Sequence, residues 1–418
     1  MAYDRGRKKS GISGHAAAGS SRGMRILKAV LIVLFCLAGI VLSKASGQAG
    51  TCAAERLRAV RQEKTDTEGL SGADIAGEVD YSGVNEALQD TEFAFEEAVL
   101  DMADGEGDGG FQVEGAVKTL WNAVTEELNE KKDLFRSIIG AGAAAAVFSL
   151  IAGSFQNGQV AQTGFFICYL ALFGVLTGAF FAASAVVTDT VLRLLDFMRA
   201  LIPVYVTVLA VSGGTAAGAV FYQGTLFLIS FADMILLHLI LPAVNIYLVL
   251  ALANNLNGEP LLSKMTGLIR DAVKLGLKLL LAVVIGFGGL KSLIVPAADA
   301  VKKSVLLKAA GALPGVGGIL EGVSQTVLGA AALLKNAVGA AGVIAICVIC
   351  AVPVVKVFLS VVICKAGSAI IEPVSDSRIV GAVSACAGAC TLLLNVLLTA
   401  AGLFLIAVTI AALAVKPP

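Results

Sequence analysis

Charge is scarce in the last two thirds of this chain. Arg136 to Pro418 holds 25 charged residues in 283, against about a quarter in an average soluble domain, which excludes an ordinary water-facing globular fold. Gly-rich phosphate loops, paired membrane aspartates and recognisable metal-binding clusters are missing as well. The eight cysteines do not make up for this. Cys36, Cys168, Cys347, Cys350, Cys364, Cys386 and Cys390 lie in apolar runs, and only Cys52 is placed for water. Cys347 and Cys350 have CxxC spacing, and Cys386 and Cys390 share a helical face, but neither pair has a further Cys, His or acidic ligand near it in the sequence. Small apolar packing residues are the preferred reading, with no metal and no cofactor expected.

What the chain does contain falls into three regions, although its formal net charge is zero. Arg5, Arg7, Lys8, Lys9, Arg22, Arg25 and Lys28 precede the apolar run Ala29 to Leu42, about the length of a signal-peptide core. Residues 1–45 therefore read as a basic leader with a cleaved signal peptide, preferred over a retained anchor. Residues 46–135 carry 21 Asp/Glu against 7 Lys/Arg and read as an acidic exported region. Residues 136–418 read as a membrane domain of about seven or eight spans, since several runs exceed the roughly 20 apolar residues needed to cross a hydrocarbon core. The basic leader stays in the cytoplasm on this scheme.

Within the acidic region, Val84, Leu88, Phe95, Val99 and Met102 recur at helical spacing, as do Val113, Val117, Leu120, Val124 and Leu128. Two amphipathic helices are expected, the second lying along the membrane surface. Asp104 to Gly110 alternates acids with glycine like a calcium loop, but Gly115 stands where the closing Glu belongs, so it reads as a flexible linker. The spans are expected near 137–155, 163–187, 201–221, 225–253, 272–293, 337–352, 354–371 and 380–414. A short interfacial helix covers 188–200, and the basic loop with Lys302, Lys303 and Lys308 is cytoplasmic. Pro353 and Lys356 mark either a hairpin or one long kinked helix.

Polar groups inside a membrane are costly and often functional. Lys274, Lys278 and Lys335 sit near helix ends where they can snorkel. Asp233 and His238 are five residues apart and point about 140° from one another on an ideal helix, so they form no local dyad. Ser212 followed by Gly213 and Gly214 is similar to the Ser-Gly of intramembrane serine proteases, but Ala210 replaces the expected Gly, and close helix packing is preferred. Gly174 with Gly178, and Gly214 with Gly218, are GxxxG pairs that let helices approach. Ordinary bundling within the chain is the preferred reading, with association between subunits, a homo-oligomer, as the sharper alternative.

Particular strings carry more than composition. Phe197-Met-Arg-Ala-Leu-Ile-Pro203, Ser212-Gly-Gly-Thr215, Leu313-Pro-Gly-Val-Gly-Gly318, Ala332-Leu-Leu-Lys-Asn-Ala-Val-Gly339, and Ile371-Glu-Pro373 with Asp376 and Arg378 occur in order. Between about Phe111 and Ala414 the chain resembles the stage III sporulation protein AE family of endospore-forming bacteria. The resemblance implies a component of a secretion-like complex in the mother-cell membrane around the engulfed forespore, joined to a forespore partner and needed for late forespore gene expression. It implies other stage III sporulation membrane proteins and the lipid bilayer as partners, no nucleic acid, and no catalytic residue. The expectation is an all-α, polytopic integral membrane helix bundle with a small exported amphipathic-helical N-terminal region, and not an enzyme. Lys335, Asn336, Asp376 and Arg378 are its candidate functional polar residues. A free-standing small-molecule permease is the rival, and an intramembrane serine protease the third reading.

Overall fold

The structure, a computed structural model, describes residues 76–413 except 78, 90, 92, 105–112, 153–157, 212–214, 257–261 and 311–316. The leader and most of the 104–110 linker lie outside the described residues. Among the described residues every regular element is helical. The order is α1 (Ser82–Ala87), α2 (Phe95–Asp104), α3 (Val113–Glu130), α4 (Lys132–Ala152), α5 (Gly158–Val211) and α6 (Thr215–Ile235). A π-helical turn (Leu236–Ile240) joins α6 to α7 (Leu241–Leu256), followed by α8 (Ser263–Ala310), α9 (Gly317–Ile371) and α10 (Ser377–Leu413).

Among the described residues four stretches are long and apolar enough to cross a membrane: Thr163–Val208, Gln223–Leu256, Leu333–Ile371 and Ser377–Ala411. The first three are longer than the single spans expected there from the sequence. The break expected at 188–200 does not occur, because α5 runs through it as one helix with Pro203 inside. Likewise α9 passes through Pro353 without a hairpin, and Lys302, Lys303 and Lys308 lie in α8 rather than in a loop. The physical reason is common to all three. A charged or proline-bearing turn inside a helix whose other residues are strong helix formers bends the ladder or faces water, but does not unwind it.

Local chemistry explains the breaks that do occur. Pro373 disfavours helical geometry at Glu372, and α9 ends at Ile371. Asp376 then caps α10, its carboxylate accepting the Arg378 backbone N–H at 2.9 Å. Pro242 has no N–H to offer the His238 carbonyl and crowds it, and the helix widens into the π turn just before that proline. The first amphipathic pattern divides into α1 and α2, with Thr91 Oγ1 donating to the Leu88 carbonyl in the turn between them.

The densest packing joins α9 to α10 and sets both against α5. Buried Leu393, Val396, Leu397, Ala400 and Phe404 of α10 form the centre. α3 and α4 run alongside α9 in parallel: Glu127 meets Lys356, Ile138 meets Gly367, and Gly142 meets Ile371, in the same order along both. The second amphipathic helix therefore docks on an apolar helix of the bundle.

Candidate functional site

The joint between α3–α4 and α9 brings together charges that the sequence keeps far apart. α3 places Glu127 on its inner face, where the residue is 5% exposed. One turn later, Lys131 reaches back to it with Nζ–Oε1 at 3.4 Å, and Lys356 of α9 approaches the other oxygen at 3.8 Å. A buried carboxylate is costly unless paired, so one anion between two ammonium groups is a stable arrangement with one net positive charge. Lys356 follows Pro353 and remains partly exposed, unlike Glu127.

Close to this trio, α9 and α10 bring three thiols together. Cys364, Cys386 and Cys390 are buried, with their sulfurs all within 4.8 Å of one another. The register that sets Glu127 at Lys356 and Ile138 at Gly367 brings Lys131 about one turn from Cys364 along the paired helices. Cys386 Sγ also approaches the Leu176 carbonyl of α5 at 3.8 Å. Two of these thiols could be paired on paper, because residues four apart share a helical face. The third comes from another helix, and only the fold brings it in.

A second polar zone lies along α5. Asp189 pairs with Arg193 at 2.8 Å, and Asp196 with Arg199 at 2.8 Å. Arg199 also reaches Asp233 of α6 at 3.8 Å, so Asp233 faces an arginine across a helix contact rather than His238. Thr163–Val208 is 46 residues, about 69 Å at the usual helical rise and more than twice a hydrocarbon core. Exposed ion pairs cannot sit in that core, so the charged band marks where α5 leaves it. α1 and α2 dock at the same level. Phe95 packs edge-on against Phe197, and Gly83 lies against Ala200. Beside them Tyr81 is buried against Phe95, and burial, then the Glu96 carboxylate, pushes its hydroxyl pKa up to about 12.

The residues singled out from the sequence are distributed as follows. Asp376 and Arg378 meet at the α9–α10 corner, with Arg378 Nε 3.3 Å from Asp376 Oδ1 and its guanidinium 4.0 Å from the Phe165 ring centroid. That stacking ties the start of α10 to α5. Lys335 is buried in α9, while its neighbour Asn336 is exposed. Ser212, Gly213 and Gly214 lie outside the described residues, and Gly218 falls within α6. Gly174 and Gly178 are exposed, and nothing comes within 4 Å of a Cβ built on either. Among the described residues, no side chain packs against this pair.

Close approach happens at glycines that the sequence did not single out. A Cβ on Gly367 would lie 2.9 Å from Ile138 Cγ2, and one on Gly142 2.8 Å from Ile371 Cγ2. A Cβ on Gly381 would lie 2.6 Å from the Asn255 amide oxygen. Alignment with a branched side chain on another helix was the missing signal, and spacing within one helix does not contain it.

A family model described as Stage III sporulation protein AE matches residues 93–415. The chain is 24% identical over 279 residues to Stage III sporulation protein AE of Bacillus subtilis (strain 168), covering 66% of this chain and 69% of that protein. No solved structure matches.

Proposed function

The chain belongs to the Stage III sporulation protein AE family, and from that premise we propose that it is a multi-pass subunit of a secretion or channel complex in the mother-cell membrane around the engulfed forespore. Its place there is to support forespore development and late forespore gene expression alongside other stage III sporulation membrane proteins. The acidic N-terminal region is exported, so α1–α3 face the space between the two cells, where a forespore-membrane partner is within reach. The observation that carries this reading is the extent of the family match, which takes in α3, the joint and the whole bundle as one unit. The charged joint supports it, because a subunit that must present exported helices at a fixed position needs them clamped to its membrane helices.

Deletion of the gene is expected to leave vegetative growth and engulfment intact and to stop the forespore afterwards, with late forespore transcription failing. Time-lapse microscopy with a late forespore reporter measures this. Normal spores, or slow growth in rich medium, would overturn the reading in favour of a housekeeping permease. Affinity purification from sporulating cells is an independent check: the neighbouring stage III sporulation membrane proteins should accompany the chain, and a permease should come down without them.

A further inference from the structure

The three buried thiols of Cys364, Cys386 and Cys390 are not used by the proposed function. We propose that they form a binding site for one thiophilic divalent cation of the zinc class, held between α9 and α10. The geometry carries the first part of the argument. Three sulfurs within 4.8 Å of one another need to close by about 1 Å to share one ion at the usual zinc–sulfur distance of about 2.3 Å. Cys386 and Cys390 stand one turn apart on the same face of α10, with Cys364 opposite them on α9. The ion therefore bridges two helices that are already packed together.

Charge carries the second part. Binding a divalent ion by three thiols releases three protons and leaves an M(II)–trithiolate centre with one net negative charge. Isolated in an apolar interior, that charge is costly. Glu127, Lys131 and Lys356 together hold one net positive charge at the neighbouring joint, and the register of α3–α4 beside α9 brings Lys131 about one turn from Cys364. The two centres offset one another. A monovalent soft ion would leave two negative charges instead of one, and a hard cation such as magnesium would lack its oxygen ligands. Three protein ligands leave one coordination position open, which suits a site that loads and releases its ion. The ion pins α9 to α10 beside the point where α3 docks, so occupancy and docking of the exported helices share one piece of structure.

Cadmium is the probe. The full chain, reduced and purified in detergent, should bind one Cd²⁺ with thiolate-to-cadmium charge-transfer absorption in the ultraviolet, and its unfolding midpoint should rise with cadmium but not with magnesium. Cys364→Ser should remove that absorption, whereas the chain with both Cys347→Ser and Cys350→Ser should keep it. Lys356→Met, which takes away the offsetting charge without touching a ligand, should weaken cadmium binding by about tenfold. The proposal fails if the unmutated chain shows neither the absorption nor the midpoint shift. It fails equally if Cys364→Ser leaves the absorption unchanged, for then the three cysteines serve packing alone.

Discussion

The contact between α4 and α9 and the outer face of α5 are both made of glycine set among bulky apolar residues, yet they behave in opposite ways. At the first, Ile138 fills the surface over Gly367 and Ile371 fills that over Gly142. On α5, Phe166, Ile167, Leu170, Val175 and Phe181 surround Gly174 and Gly178 and are exposed with them. A membrane removes the general drive to bury apolar surface, so helices associate only where shapes interlock and polar groups find partners. Glycine is a socket where a branched side chain from another helix enters it. On the outer face of α5 nothing in the described chain does so.

The largest effect is expected from Gly367→Leu, because overfilling a packed contact costs about 1–3 kcal/mol and sometimes more. The Ile138 side chain, 2.9 Å from the new Cβ, would have to move, and α4 with it. Thermal unfolding in detergent should show a clear loss of stability, and Gly142→Leu should behave alike. Unchanged melting of both variants would erase the distinction between the two faces.

The next effect concerns what clamps α3 above that glycine contact. Glu127→Gln leaves Lys131 and Lys356 facing one another without their shared anion. Removing one partner of a fully buried pair costs about 3–5 kcal/mol, and the partial exposure of Lys356 brings the expectation to about 1–2 kcal/mol. Lys356→Met in the same chain should recover part of the loss, since it removes one of the stranded charges. A double-mutant cycle by thermal unfolding measures the coupling, and strictly additive losses would mean that packing alone holds α3.

Much of this architecture was legible in the sequence, for reasons that also mark where legibility ended. The apolar runs announced a helical membrane bundle, and the gap between the runs ending at 371 and beginning at 380 announced the turn that the structure shows between α9 and α10. A separate interfacial helix was expected at 188–200, where α5 runs on unbroken, and of the two alternatives at Pro353 the structure takes the single long helix, because a charge or a proline looks the same at a helix end as on one side of a continuous helix. The joint was not legible. Glu127 and Lys356 are each unremarkable in their own helices, and so are Cys364 and Cys390. Only the parallel course of α3–α4 beside α9, and the return of α10, place them together.

The smallest effect, and the sharpest comparison, is expected at Gly178→Leu. Nothing lies within 4 Å of the added Cβ, and exposed substitutions usually change stability by less than about 0.5 kcal/mol. Leu is also the better helix former, by something under 1 kcal/mol in a helix interior. The melting temperature should therefore stay level or rise slightly, in contrast to the loss at Gly367→Leu, although the two changes are chemically identical. Sporulation of the variant then separates the two uses of an outward glycine face. If the face meets only lipid, spore yield should follow stability and remain normal. If it receives a helix of a second chain, the same leucine would block that approach and spore yield would fall while the isolated chain melts as before. We expect the melting temperature to hold in either case, so a fall in it would show that α5 packs through Gly178 inside the chain after all.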